Sequence, residues 1–143
     1  MSESVSATKE ITTNRMNSTN NTNQTPILIV DDEKTAHQLY KLMLRKKGYK
    51  LFHAESGREA LDVYKKHPEI KIILMDIKMP DMNGYEATKE IRKTDKNTII
   101  IAQTAYALAA DKNKALKAGC NDHLAKPIDR IELLSKLEEY LKP

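Results

Sequence analysis

Apolar and polar positions follow two different periods along this chain, and the switches between them place its elements. Three blocks, Ile27-Leu28-Ile29-Val30, Ile72-Ile73-Leu74-Met75 and Ile99-Ile100-Ile101-Ala102, are apolar at every position and have the length of strands buried on both faces. Between them apolar residues recur every three or four positions, the spacing of a helix with one buried face. From Pro26 onward the pattern predicts strand 27–30, helix 33–47, strand 50–54, helix 56–66 and strand 71–75. It continues with helix 84–93, strand 98–103, helix 106–118, strand 122–125 and helix 129–141. Five βα units of this length predict an α/β fold in which a parallel sheet is covered by helices on both faces.

Backbone punctuation agrees with these boundaries. Gly48 and Gly119 are expected to cap helix ends, Ser56 and Asp129 to open helices, and Pro80 with Gly84 to mark a loop. Ala36, Leu39, Tyr40, Met43 and Leu44 in the first helix, and Ile131, Leu134, Leu137 and Leu141 in the last, fall at helical spacing and are expected to pack on the sheet as core.

Composition adds a tail. Residues 1–25 are rich in Ser, Thr and Asn and nearly free of large apolar side chains, so ordering them would not bury enough surface to offset the entropy lost. They are expected to form a disordered tail or linker, with the domain at 26–143. A chain of 143 residues has room for that one domain and none for a second catalytic or DNA-binding one, so output must come through contact with another molecule. The net charge is +4, and because Glu3, Lys9, Glu10 and Arg15 cancel, the excess sits on the folded part. With no Lys/Arg run interleaved with aromatics and no Trp, no nucleic-acid partner is expected. Cys120 is the only cysteine, which fits a reducing compartment and reads as a small buried apolar residue. No apolar stretch approaches the length of a membrane span and no signal-peptide core precedes the domain, so a cytoplasmic protein without membrane segments is expected.

The candidate chemistry lies where the apolar blocks stop. Asp31-Asp32, Asp76, Thr104 and Lys126-Pro127 each follow a predicted strand, and strands of a parallel sheet present such residues along one edge. With strand order 2-1-3-4-5 the first and third strands are neighbours, which would bring Asp31, Asp32 and Asp76 into one pocket. Carboxylates that close need a cation or raised pKa values, and all-oxygen ligation beside a phosphate suits Mg²⁺. Lys126 would place a fixed positive charge near a phosphoryl group, Thr104 a hydroxyl donor, and Asp76, central among them, the nucleophile of an acyl phosphate. An Asp pair is usually a turn or cap, a strand-end Thr a turn, and a lone Lys surface; the joint placement carries the reading.

In this combination the chain resembles the receiver domains of bacterial two-component response regulators. The resemblance covers 26–142 and rests on Ile-Leu-Ile-Val-Asp-Asp-Glu at 27–33, Met-Asp-Ile-Lys-Met-Pro-Asp-Met-Asn-Gly at 75–84, Thr104-Ala105 and Lys126-Pro127-Ile128. It implies a flavodoxin-like (βα)5 fold with strand order 2-1-3-4-5, and a phosphoryl group taken by Asp76 from a phosphohistidine on a histidine kinase or histidine phosphotransfer protein. It implies Mg²⁺ held by Asp32, Asp76 and the backbone carbonyl of Lys78, with Asp31 helping. Thr104 and Lys126 match the residues that read the phosphoryl group and remodel the face of the fourth helix, fifth strand and fifth helix for a downstream protein partner. The Lys126-Pro127 peptide is commonly cis in that family.

His123 stands where many receivers carry a Tyr or Phe that rotates on phosphorylation, so a ring switch here would be a histidine; the plainer reading is a partly exposed strand-end residue. Lys78 and Tyr106 match positions that tune the lifetime of the phosphoryl group, with Tyr106 expected to shield it from water. A relay partner would dock beside Asp76 on Ala36, Leu39, Pro127 and Ile128. The runs at 79–88 and 121–128 look most like hybrid-kinase receivers; a single-domain regulator fits as well. Among rivals, Asp31-Asp32-Glu33 would repel a flavin phosphate, and a dehalogenase-type phosphatase wants Asp where Lys78 stands. A receiver fold that binds partners without phosphorylation remains the alternative, opposed by the complete site.

Overall fold

The apolar blocks form the centre of the sheet. The computed structural model describes residues 24–105 and 109–142. Its strands are β1 (Thr25–Val30), β2 (Tyr49–Ala54), β3 (Ile72–Asp76), β4 (Ile99–Thr104) and β5 (Asp122–Ala125), and its helices α1 (Lys34–Met43), α2 (Gly57–Lys66), α3 (Gly84–Arg92), α4 (Ala109–Ala118) and α5 (Arg130–Tyr140). All strand pairs are parallel, in the order β2-β1-β3-β4-β5. This is the flavodoxin-like order expected.

Side-chain alternation splits the core in two. Leu28, Val30, Ile73, Met75, Ile100 and Ala102 face α2, α3 and α4, packing with Ala60, Ala87, Ile91, Ala115 and Cys120. Ile27, Ile29, Ile72, Leu74, Ile101 and Leu124 face α1 and α5, packing with Tyr40, Leu44, Leu133 and Leu137. Each fully buried Leu or Ile stabilises the fold by about 1.5–3 kcal/mol relative to exposure, so the ladder through β1, β3 and β4 is the rigid base of whatever follows it. Cys120 is part of that core, and burial pushes its thiol pKa up.

Three details differ from the sequence reading. Helix α1 ends at Met43 with Leu44 as its C-cap, so Gly48 (φ +80°) does not cap it; the chain turns through Lys46 at φ +62° and Gly48 opens the way into β2. The run Arg45-Lys46-Lys47 offers no apolar side chain to hold a further helical turn on the sheet. Leu39 and Ile131 are 44% and 76% exposed, whereas Leu133 is fully buried; the inward face of α5 is set by Leu133 and Leu137. Strand β1 starts two residues earlier than the apolar run because backbone pairing continues, Thr25 N–H donating to Gly48 O at 3.1 Å and Lys71 N–H to Pro26 O at 3.0 Å. Ser56, Asp129 and Gly119 occupy the cap positions expected of them. The tail expected at 1–25 lies outside the described residues up to 23, and its last residue, Thr25, is instead paired in β1.

One polar knot fastens α2 to the connection before β4. Asp95 accepts hydrogen bonds from the backbone N–H of Asn97 (2.7 Å) and Thr98 (3.1 Å), the Thr98 hydroxyl (2.6 Å) and the Tyr64 hydroxyl. Burial works to raise its pKa, but these donors together hold the carboxyl well below the usual carboxylate range. Asp95→Ala is expected to lower unfolding free energy by about 2 kcal/mol at pH 7, measured by urea denaturation. Because the folded pKa is depressed, this stabilisation is present above the unfolded value near 3.9 and is lost as pH falls towards the folded one. The gap between wild type and variant should therefore shrink below about pH 4.

Candidate functional site

Parallel strand direction puts the ends of β1, β3, β4 and β5 on one edge, and the residues there are polar because the ladder has run out. Asp31 follows β1, Asp76 closes β3, Gln103 and Thr104 close β4, and Lys126 follows β5. Carboxylate oxygens of Asp31, Asp32 and Asp76 all lie within 4.8 Å of one another. Asp31 is fully buried, Asp76 is 3% exposed, and Asp32 faces solvent.

Each buried carboxylate is anchored. The Glu33 N–H donates to Asp31 Oδ1 at 2.9 Å, and the Lys78 N–H donates to Asp76 Oδ1 at 3.3 Å. Lys126 Nζ lies 3.1 Å from Asp31 Oδ2 and 3.2 Å from Asp76 Oδ1, one ammonium shared by two acids. Burial alone would lower the pKa of Lys126, but the Asp76 and Asp31 carboxylates raise it overall, so it stays charged. Burial first, and then Asp31, push Asp76 up from 3.8 to about 6, against the pull of Lys126 and the Lys78 N–H. Three carboxylates and one ammonium leave an excess of negative charge. That donor set, oxygen-only and partly open to water, fits a hard divalent cation such as Mg²⁺.

The loop after Asp76 is held from both ends. Ile77 N–H donates to Gln103 O at 3.2 Å and Gly84 N–H to Ile77 O at 3.0 Å. Asn83 caps α3 in a reciprocal capping box, its Oδ1 accepting from Glu86 N–H at 2.9 Å while Glu86 Oε1 accepts from Asn83 N–H at 3.0 Å. Across the sheet, Lys126 N–H donates to Thr104 O at 2.7 Å, tying the ends of β4 and β5 together, and the Lys126-Pro127 peptide is cis.

Asp31, Asp32, Asp76, Thr104 and Lys126 thus meet at one edge, as their positions after the apolar runs imply. His123 sits in β5 with its side chain 22% exposed and Nδ1 buried. Tyr106 lies outside the described residues. Ala36 and Ile128 are half-buried, and Leu39 and Pro127 are exposed. Arg130 Nε donates to Met43 O at 3.1 Å, joining the start of α5 to the end of α1, and Leu42 and Ile131 add exposed apolar surface on those two helices.

Two pairs escaped the sequence reading. The Tyr40 hydroxyl donates to Gln103 Oε1, although Tyr40 read as plain core and Gln103 as the end of a strand. The signal available was a glutamine at a position buried on both faces, which demands a partner. His37 contacts His53 (Nδ1 to Nδ1, 2.7 Å) and its Nε2 donates to Asp31 O at 2.8 Å, bracing the backbone of the acidic corner.

Comparison with known proteins agrees with this geometry. Residues 27–138 match the family model of the response regulator receiver domain. The chain is 31% identical to the polar-differentiation response regulator DivK of Brucella anthropi, over 80% of this chain and 94% of DivK. It is similar to the chemotaxis protein CheY4 of Vibrio cholerae, with TM-score 0.77, 31% identity and coverage of 82% and 99%. It is also similar to a chain in the co-crystal structure of the Saccharomyces cerevisiae histidine phosphotransfer protein Ypd1 with the receiver domain of its downstream response regulator Ssk1, with TM-score 0.77, 33% identity and coverage of 82% and 88%. Among the described residues no helix is long and apolar enough to cross a membrane. With its sheet order, its acidic corner and a match spanning 27–138, the chain belongs to the response regulator receiver domains of two-component and phosphorelay signalling.

Proposed function

We propose that this domain takes a phosphoryl group onto Asp76 from a phosphohistidine on a histidine kinase or histidine phosphotransfer protein in the cytoplasm. The observation that supports this most is Asp76 itself, buried beside Asp31 and sharing the Lys126 ammonium with it, its pKa pushed up to about 6. In the step, an Asp76 carboxylate oxygen bonds to phosphorus as the phosphorus–nitrogen bond of the donor breaks, its electron pair staying on the imidazole. Asp32, Asp76 and the Lys78 carbonyl, with Asp31 helping, would hold Mg²⁺, which when bound supplies the charge that lets an acidic pocket accept an anion. Lys126 supplies a fixed cation to the transferring group and Thr104 a hydroxyl donor. Their movement toward the phosphoryl oxygens would remodel the α4-β5-α5 face for a downstream protein, with His123 as the ring that reports it and Lys78 and Tyr106 setting the lifetime.

The relay partner would dock on Ala36, Leu39, Pro127 and Ile128, with exposed Leu42 and Ile131 extending the apolar surface. The Ssk1 receiver, similar to this chain and crystallised with Ypd1, supports a phosphotransfer partner of that kind. Intact-mass analysis of the wild type with acetyl phosphate, with and without Mg²⁺, tests the reading. One Mg²⁺-dependent phosphoryl adduct is expected. No adduct, with metal binding measured by calorimetry, would leave a receiver fold that binds its partners without phosphorylation.

A further inference from the structure

Gln103 is the lateral neighbour of the phosphoacceptor, and none of the chemistry above uses it. The β3–β4 register pairs Asp76 with Gln103. Residues paired across a ladder project to the same face with Cβ atoms about 5 Å apart. Gln103 is 1% exposed, and an amide group buried without a hydrogen-bond partner is destabilising unless it serves something. Only half of the amide is bonded: Oε1 accepts from the Tyr40 hydroxyl, while the buried Nε2 has no partner among the described residues.

Tyr40 fixes which end of the amide is free. It is 2% exposed, and burial first, then Asp31 and Asp76, push its pKa far up, so the phenol stays protonated and donates. With Oε1 committed to Tyr40, the N–H end is the one left to serve the carboxylate side, where a carbonyl would be repelled. At rest Lys126 at 3.2 Å and the Lys78 N–H at 3.3 Å both sit on Asp76 Oδ1, and the Gln103 Nε2–H donates to neither oxygen of that carboxylate.

We propose that Gln103 is a further catalytic residue, whose Nε2–H takes up the Asp76 carboxyl oxygen not bonded to phosphorus once Lys126 turns to the phosphoryl group, and that Tyr40 is the positioning residue that keeps the amide turned that way. The proposal rests on Asp76 being the phosphoacceptor. In hydrolysis, a water oxygen bonds to phosphorus, the phosphorus–oxygen bond to Asp76 breaks, and its electron pair returns to Asp76 as carboxylate, the water proton leaving with inorganic phosphate or solvent. Negative charge grows on the leaving carboxyl group, so the Gln103 hydrogen bond is stronger in the transition state than before it. Removing the donor therefore slows loss of the phosphoryl group.

The test follows decay of the adduct by intact mass after acetyl phosphate is removed, in wild type, Gln103→Met, Tyr40→Phe and the double variant, with melting temperatures measured alongside. Decay should slow about tenfold in Gln103→Met and about threefold in Tyr40→Phe, and the double variant should be no slower than Gln103→Met alone. Unchanged decay would overturn the proposal whatever the melting temperature, a lowered one showing both residues to be packing only; independent, multiplying effects would overturn the role of Tyr40. If Gln103→Met does not fold, unchanged decay in Tyr40→Phe overturns it alone. A wild type that forms no adduct would remove the phosphoacceptor reading and this inference with it, a result separable from an adduct whose lifetime ignores Gln103.

Discussion

Asp76→Asn is expected to take up no phosphoryl group and, in metal-free buffer above neutral pH, to be more stable than the wild type. The first half follows from chemistry, since an amide offers no anionic oxygen to attack phosphorus. The second follows from the corner the residue occupies. Folding raises the Asp76 pKa from 3.8 to about 6, through burial and then Asp31, so the fold favours the protonated acid. A raised pKa means stability is greatest below the unfolded value and is lost as pH rises through the folded one. Two pKa units correspond to about 2–3 kcal/mol, most of it withdrawn by pH 7. Asparagine carries no charge to withdraw, and Lys126 keeps Asp31 at 3.1 Å when the second acid is gone. Thermal melts in chelator should show the variant ahead by about 2 kcal/mol at pH 8 and level with wild type near pH 4. Added Mg²⁺ should narrow the gap by binding the native wild type more tightly than the variant. A variant no more stable at pH 8 in chelator would mean that Asp76 does not carry the strain the site places on it.

The parts of this site legible in the sequence are those the ladder dictates. Once Ile27 to Val30 and Ile72 to Met75 are buried neighbours, Asp31 and Asp76 must emerge side by side, and the observed register Val30 with Met75 does that. Helix ends were harder. The Arg45-Lys46-Lys47 run keeps helical propensity while lacking an apolar side chain to pack, and the helix stops at Met43. Burial of Leu39 and Ile131 depended on how α1 and α5 are rotated against the sheet, which spacing alone does not set. The Tyr40–Gln103 and His37–His53 pairs join residues on different elements, and nothing local in the chain says which partner a buried polar group will choose.

The same geometry makes Gly84→Ala the second large effect. Gly84 is the first residue of α3, and a Cβ there would lie 2.3 Å from the Asp76 carbonyl oxygen and 2.8 Å from Ile77 Cα. Both are backbone atoms of Asp76 and the residue after it, so no side-chain rotation relieves the overlap. Nor can α3 simply slide away: its start is fixed by the Asn83–Glu86 capping box and by Gly84 N–H on Ile77 O at 3.0 Å. The clash must therefore be taken up by the Asp76 backbone. We expect a loss of about 3 kcal/mol in urea denaturation, the upper end of overpacking costs. Adduct formation should slow about a hundredfold, since a displacement near 1 Å at a reacting group is worth that much. Gly48→Ala is the control. Its φ is +80° with nothing within 4 Å, so it should cost about 1 kcal/mol from backbone strain and leave the rate unchanged. If Gly84→Ala loses stability but phosphorylates at the wild-type rate, the strain has gone into α3, and the tight seat of that helix serves the fold rather than the position of Asp76.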